Sequence, residues 1–193
     1  MTLREPDPAK TAVRDQILTA RKRLSVAQIR HAAATLAEVA QATTAVRRAA
    51  TVAAYVSIGA EPGTGPLLDA LRGAGKRVLL PVLQPDNDLD WAVYDGDLVP
   101  ASRGLLEPAG ELLGPDAIAT ADLVIVPGLG VSHAGERLGR GGGSYDRALA
   151  RVPRGTDVWI ALYPAEVGIS VPVEPHDRPV TGALSPQGVT LFT

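Results

Sequence analysis

The residues best suited to chemistry lie in one run, Gly135-Glu136-Arg137-Leu138-Gly139-Arg140-Gly141-Gly142-Gly143-Ser144-Tyr145-Asp146. Glycines let a backbone approach a ligand closely, and the N–H groups of such a loop, leading into a helix, hold phosphate oxygens. Arg137 and Arg140 add fixed charge and forked donors that suit the same oxygens. The run is not a Walker A loop, because no Gly-Lys-Ser/Thr follows. It is not the dinucleotide fingerprint either, because Ser144 stands where the third glycine would be. On residue types alone it is a phosphate loop or a flexible turn between strand and helix.

Three other places carry groups that could join it. Lys10 and Arg14 stand at i and i+4, on one face of a helix, where they either meet an anion or form an ordinary solvated face. Glu61 follows a buried strand and is either a site acid or a loop acid before a helix. The run Val171-Pro172-Val173-Glu174-Pro175-His176-Asp177-Arg178-Pro179-Val180 holds His176 and Asp177 in a proline-rich loop.

The elements that must position these groups follow from periodicity. Asp7-Pro8 reads as an N-cap with proline at the first helical position, opening a helix through Ala9, Val13, Ile17 and Leu18 to about Leu24. Ser25 and Gln28 form a capping box for a second helix running towards Arg48. Thr51 to Ile58 and Arg77 to Leu83 read as buried strands, with a helix over Pro66 to Arg72 between them. Asp90 to Tyr94 suits a short edge strand, and Asp95 to Pro115 is dominated by turn formers. Asp122 to Val126 is the clearest strand. After the glycine run come a helix over Ser144 to Arg151, a strand over Val158 to Tyr163 and a short strand over Val189 to Phe192. This alternation predicts an α/β fold in three layers, αβα, with a mainly parallel or mixed central sheet and ligands at the carboxyl ends of its strands.

Length and composition narrow the function further. The chain has 193 residues, 46% of them hydrophobic, and reads as one domain over 1–193 with its own core. A net charge of −2 and 4% aromatic residues offer neither the basic stripe nor the stacking platform of a nucleic-acid binder. The absence of cysteine removes disulfides, thiolate metal sites and cysteine nucleophiles. Met1 to Lys10 is charged and proline-bearing, not an apolar signal core, and no run has transmembrane length. The expectation is a cytoplasmic, monomeric protein without membrane or nucleic-acid partners, acting on small molecules.

The order Pro127-Gly128-Leu129-Gly130, then Gly135 to Asp146, resembles the signature of the 5-formyltetrahydrofolate cyclo-ligase family: a strand ending Pro-Gly, then Gly-x-Arg-Leu-Gly-x-Gly-x-Gly-x-Tyr-Asp. Lys10 and Arg14 are similar to the family's Lys-x-x-x-Arg, Val171 to Val180 to its closing signature, and Gly104 to Pro108 to a further segment. The resemblance implies an ATP-dependent carbon–nitrogen ligase that converts 5-formyltetrahydrofolate to 5,10-methenyltetrahydrofolate in one-carbon metabolism, releasing ADP and phosphate. It implies an architecture like the NagB/RpiA/CoA-transferase-like fold.

By the same resemblance Lys10, Arg14, Arg137, Leu138, Gly139, Arg140, Gly141, Gly142, Gly143, Ser144, Tyr145 and Asp146 bind ATP, with Arg140 and Lys10 catalytic. Glu61, Arg14, Arg140, Gly141, Gly142, Gly143 and Ser144 border the folate. Asp146 and Asp177 hold Mg2+, whose preference for carboxylates with phosphate oxygens and water leaves His176 a positioning group. Two positions depart from the pattern. Val131-Ser132 replaces Phe-Asp, and Ser144 replaces an aromatic, changes that would thin an aromatic wall beside the pterin. A nucleotide-binding relative without turnover, and a sugar-phosphate isomerase or CoA-transferase-like enzyme on the same architecture, are the alternatives.

Overall fold

Residues 8–172 and 178–192 are described by a computed structural model. Asp7, the expected cap of the first helix, and His176 and Asp177 lie outside the described residues. Helix α1 (Pro8–Arg21) begins on its proline as expected. The capping box at Ser25 is formed in both directions and opens α2 (Val26–Ala42).

The second helix stops short of Arg48. Thr43 takes extended dihedrals, and its hydroxyl accepts from Val46 N to start a separate helix, α3 (Thr44–Arg48). A threonine offers the backbone a bond of its own, and here that bond breaks one helix into two.

Strand β1 (Thr51–Ala53) is shorter than the apolar run Thr51 to Ile58 predicts. The chain leaves the sheet because another partner satisfies its backbone. Ser57 N donates to Thr64 Oγ1 at 2.9 Å, Thr64 Oγ1 donates to Tyr55 O at 2.7 Å, and Thr64 N donates to Ser57 Oγ at 3.0 Å. The apolar side chains of the run stay inside, but its last residues turn towards the site.

There follow α4 (Gly65–Gly73), β2 (Arg77–Leu83), β3 (Leu89–Val93), β4 (Leu98–Pro100) and β5 (Leu106–Pro108). The expected edge strand over Asp90 to Tyr94 is β3. The turn-rich Asp95 to Pro115 folds into an unexpected antiparallel pair, β4 with β5. Beyond these come β6 (Leu123–Val126), a two-stranded hairpin of β7 (Gly130–Val131) and β8 (Arg137–Leu138), α5 (Ser144–Ala150), β9 (Asp157–Ala161), β10 (Gly182–Ser185) and β11 (Gly188–Leu191).

The main sheet has seven strands in the order β11-β10-β9-β6-β1-β2-β3. Strands β10, β9, β6, β1 and β2 run parallel, and the edge strands β11 and β3 run antiparallel to their neighbours. The pleat sends successive residues to opposite faces. Val52, Leu123, Ile125 and Trp159 meet Leu36 and Ala40 of α2 and Leu67 and Leu71 of α4 on one side. Ala53, Val124, Val126 and Ile160 meet Ala148 and Leu149 of α5, with Ile118, on the other. The result is the expected three-layer α/β architecture.

Helix α1 stands apart. Its Ile17 packs with Leu129, Leu138 and Val171 at the edge of the small hairpin, so the first helix rests on the site and not on the sheet.

Candidate active site

The chain leaves β1 for β2 on one side and reaches β6 on the other, so the sheet's order reverses between β1 and β6. Such a switch point opens a crevice at the carboxyl ends of the strands. A cavity of about 220 Å³ lies there, lined by the exits of β1 (Tyr55, Ile58, Glu61) and β6 (Pro127, Gly128) and by the glycine run. Its remaining wall comes from Leu83 and Leu89 beside the β2–β3 turn and from Leu105, Leu106 and Glu107 of the β4–β5 pair.

The glycine run has the form its composition predicts. Gly141 and Gly143 take φ of +99° and +70°, conformations that side-chain-bearing residues rarely adopt, and Gly143 immediately precedes α5. Gly139 answers to a different need. A Cβ there would lie 2.9 Å from Nη1 of Arg137, which is buried and held by Asp146 Oδ1 at 2.5 Å. Leu138 is buried with Ile17 and Leu129 and does not line the cavity, so its side chain supports the loop from behind.

Of the two cations expected to face the site from α1, Arg14 donates from Nε to Gly139 O at 2.9 Å, and its guanidinium lies 3.6 Å or more from where a Cβ of Gly141 would be. The i and i+4 spacing therefore delivers Arg14 to the glycine run. Lys10 is buried at 4% exposure on the same helix.

Arg140 reaches across the opening to Glu61, with Nη2 3.1 Å from Oε1. The partners differ sharply in exposure: the Arg140 side chain is 49% exposed and that of Glu61 5%. Glu61 Oε2 accepts from Ile58 N at 2.9 Å. Burial pushes the Glu61 carboxyl above the ordinary carboxylate range, against the opposing pull of the Ile58 N–H, Arg140 and Arg21. Glu61 is thus a buried acid whose charge depends on cations in reach.

The two departures from the family pattern separate in the structure. Ser132 lies outside the cavity, and its hydroxyl organises the β7–β8 turn by donating to Glu136 Oε2 at 2.7 Å and accepting from Ala134 N and Glu136 N. A turn residue, and not a wall residue, has changed there. Ser144 does line the cavity, beside Tyr145, and the other aromatic lining residue is Tyr55. Burial drives the Tyr55 phenol well above its usual pKa, so it stays neutral.

Residue types alone gave no sign of Tyr55, Ile58, Leu83, Leu105 and Glu107 as lining residues. Nor did they single out Arg21. That side chain closes α1 and forms a forked buried pair with Glu166, Nε to Oε1 at 2.7 Å and Nη2 to Oε2 at 2.8 Å. Burial works against the Arg21 charge, but the Glu166 hydrogen bonds and charge, with Glu61 nearby, raise its pKa. Removing one partner would strand the other's charge, at a cost of about 3–5 kcal/mol. The signal available in sequence was spacing: Arg21 follows Arg14 by about two turns on one helix face.

Among the described residues no helix is long and apolar enough to cross a membrane. A model of the 5-formyltetrahydrofolate cyclo-ligase family matches residues 6–186. The 5-formyltetrahydrofolate cyclo-ligase of Mycolicibacterium smegmatis is 43% identical over 143 residues, 71% of this chain and 74% of that one. Its counterpart from Escherichia coli K12 is 32% identical over 151 residues, 72% and 79% of the two chains. The solution structure of Aquifex aeolicus 5,10-methenyltetrahydrofolate synthetase superposes with a TM-score of 0.81 at 25% identity, covering 95% of this chain and 92% of that one. The Mycoplasma pneumoniae synthetase shares the fold at a TM-score of 0.73 and 21% identity, over 92% of this chain and 98% of that one. With the glycine run, the Arg14 contact and the acid at Glu61 gathered at one switch point, and with these relatives, the chain belongs to the 5-formyltetrahydrofolate cyclo-ligase family.

Proposed function

We propose that this chain converts 5-formyltetrahydrofolate to 5,10-methenyltetrahydrofolate at the expense of ATP, with residues 1–193 acting as one monomeric, cytoplasmic domain. The observation that carries this reading is the Arg140–Glu61 pair. One end belongs to the phosphate loop and the other to the acid on the folate side, so both substrates address one cavity.

The chemical problem is a formyl amide oxygen that leaves poorly. Attack of that oxygen on the γ-phosphorus of ATP forms an O–P bond, releases ADP and turns the oxygen into a phosphate leaving group. The neighbouring folate nitrogen then bonds to the former formyl carbon and loses its proton, and the C–O bond breaks to release phosphate. No side chain need be a covalent nucleophile. Catalysis of such a transfer is mostly positioning and charge stabilisation.

Arg137, fixed by Asp146, and Arg140, half-exposed at the rim and paired with Glu61, supply charge to the phosphates. Lys10 and Arg14 add charge from α1, and Gly139, Gly141, Gly142, Gly143, Ser144 and Tyr145 supply backbone and wall. Glu61 orients the folate with Arg14, Arg140 and Ser144. The residues at hand suit magnesium: Asp146 borders the phosphate loop, is 23% exposed and gives only Oδ1 to Arg137, leaving a hard oxygen for the ion. Asp177 is the proposed second carboxylate, on the similarity of Val171 to Val180 to the family's closing signature. Bound there, Mg2+ would neutralise charge on the transferring phosphoryl group.

Purified protein given the formyl substrate, ATP and Mg2+ should raise the near-ultraviolet absorbance of the methenyl product, and no rise should occur without ATP. ATP binding without folate binding or turnover would instead identify a nucleotide-binding relative. Turnover independent of ATP would identify an isomerase or transferase on the same architecture.

A further inference from the structure

Arg21 is buried at 3% exposure, does not line the cavity and has no part in the chemistry above. Its guanidinium nevertheless touches several elements that do. Besides the fork to Glu166, Nη2 donates to Gly128 O at 2.8 Å, and the group lies 5.6 Å from the centre of the Tyr163 ring. Gly128 is a lining residue at the exit of β6. Tyr163 points its hydroxyl at Ala60 O and Glu61 O, 3.3 Å from each. Glu166 Oε2 in turn accepts from Tyr163 N at 2.9 Å, which ties the turn after β9 into the same cluster.

Helix α1 needs such a fixture. Much of its remaining footing near Arg21 is the apolar cluster around Ile17, with Val13 and Leu18 beside it. Apolar contact is non-directional, so it holds a helix down without setting its rotation or axial position. A planar guanidinium with a carboxylate on one edge and a carbonyl in reach sets both. Arg14 lies about two turns away on the same face, so rotation at Arg21 carries directly to the 2.9 Å contact with Gly139 O.

We infer that Arg21 and Glu166 are positioning residues of this reaction. The buried pair sets α1, and hence Arg14, against the glycine loop. Through Gly128 and Tyr163 it also sets the segment carrying Glu61. The ATP side and the folate side are thereby held in register by one guanidinium. This rests on the reading given under Proposed function. An apolar replacement of both partners would hold the helix as firmly, so the pair's contribution is geometry and not stability.

The test is the double variant Arg21→Met with Glu166→Met, which strands no charge. It should melt close to the wild type, yet raise KM for both ATP and the formyl substrate about tenfold, since small misplacements of binding groups are costly. Tyr163→Phe, which loses only the contacts to Ala60 and Glu61, should raise KM for the formyl substrate and leave that for ATP unchanged. In an Arg14→Ala background the double variant should add less than about threefold to the ATP KM, because a group acting through Arg14 has nothing left to position.

Wild-type KM values in the folded double variant would overturn the inference, as would a full further tenfold loss in the Arg14→Ala background. Should the double variant fail to fold, Arg21→Lys keeps the charge and loses the fork, and the same thresholds decide. Calorimetric ATP affinity gives the comparison without turnover. ATP binding that responds as stated in a wild type making no methenyl product would sink the functional reading and keep the positioning role, whereas a wild type that binds no ATP would sink both.

Discussion

One side of the cavity, Arg137 to Asp146, comes from a single stretch of chain, whereas the facing side is assembled from Tyr55, Ile58, Leu83, Leu89 and Leu105 in separate segments. The first side works through backbone conformation and fixed cations, with Gly141 and Gly143 at positive φ and Arg137 held by Asp146. The second works through apolar area, which any aliphatic or aromatic side chain of suitable size supplies. Phosphate demands particular donors at particular spacings, so its site must be written locally. A flat ring demands a slot, and a slot can be built from anything the fold brings together.

The contrast is tested most severely by Arg140→Ala. It removes the arginine that pairs the glycine run with Glu61, and turnover should fall by about a hundredfold or more, as for other removed charge-stabilising groups. Thermal stability should fall at neutral pH, where buried Glu61 loses a cation, and change little at acid pH, where that carboxyl is protonated. Turnover near wild type would separate the two sides and leave Arg140 a surface residue.

Gly135→Ala attacks the hairpin that carries the glycine loop. The residue has φ of +79°, and an added Cβ would lie 2.4 Å from Val180 O, a backbone atom that cannot step aside. A loss of ~3 kcal/mol is expected in denaturant unfolding. An unchanged midpoint would show that the hairpin is looser than its contacts imply.

Leu105→Asn should sharpen the comparison from the other side. It should raise KM for the formyl substrate about tenfold by placing an amide in the apolar wall, with the ATP KM unchanged. Equal effects on both substrates would mean that the apolar wall and the glycine loop are not separable.

Much of this was readable in the residues, and the limits have physical causes. Strands β2, β6 and β9 announced themselves as short continuous apolar runs, and helix α1 by apolar residues at helical spacing behind its proline. The β4–β5 pair did not, because strands of three residues hold too little pattern to distinguish from turns. The apolar run beginning at Thr51 predicted burial correctly and extent wrongly, since hydrophobicity says that a residue is inside, not which partner takes its N–H. Among site residues, Arg14 and Glu61 were legible beside a specific loop. Arg21 and Glu166 were not, because 145 residues separate them and only folding brings them together.

Glu61→Gln gives a smaller, pH-dependent effect. Burial raises the Glu61 carboxyl, so the folded protein holds that proton more tightly than the unfolded chain does. Its contribution to stability is therefore fully favourable below the ordinary carboxylate pKa and is lost as pH rises through the raised one. The glutamine variant lacks that loss. Its melting temperature should gain on the wild type as pH climbs from about 4 to neutrality, and a difference that shrinks over that range would contradict the burial argument.

The smallest change expected is for Ser144→Phe. A ring restored beside Tyr145 should tighten the formyl substrate about threefold, the scale of one added aromatic contact. No gain in affinity would indicate that the aliphatic wall already fills the slot.

Thr64 bears on how such a cavity varies. A close-packed α/β protein ordinarily makes room for a ligand by lengthening a loop, but here a central strand is cut short and its outgoing backbone is moored to the hydroxyls of Thr64 and Ser57. The depth of the chamber is therefore adjustable at two small side chains without altering the order of the seven strands. Descendants of this chain can retune what they accept while inheriting the same scaffold.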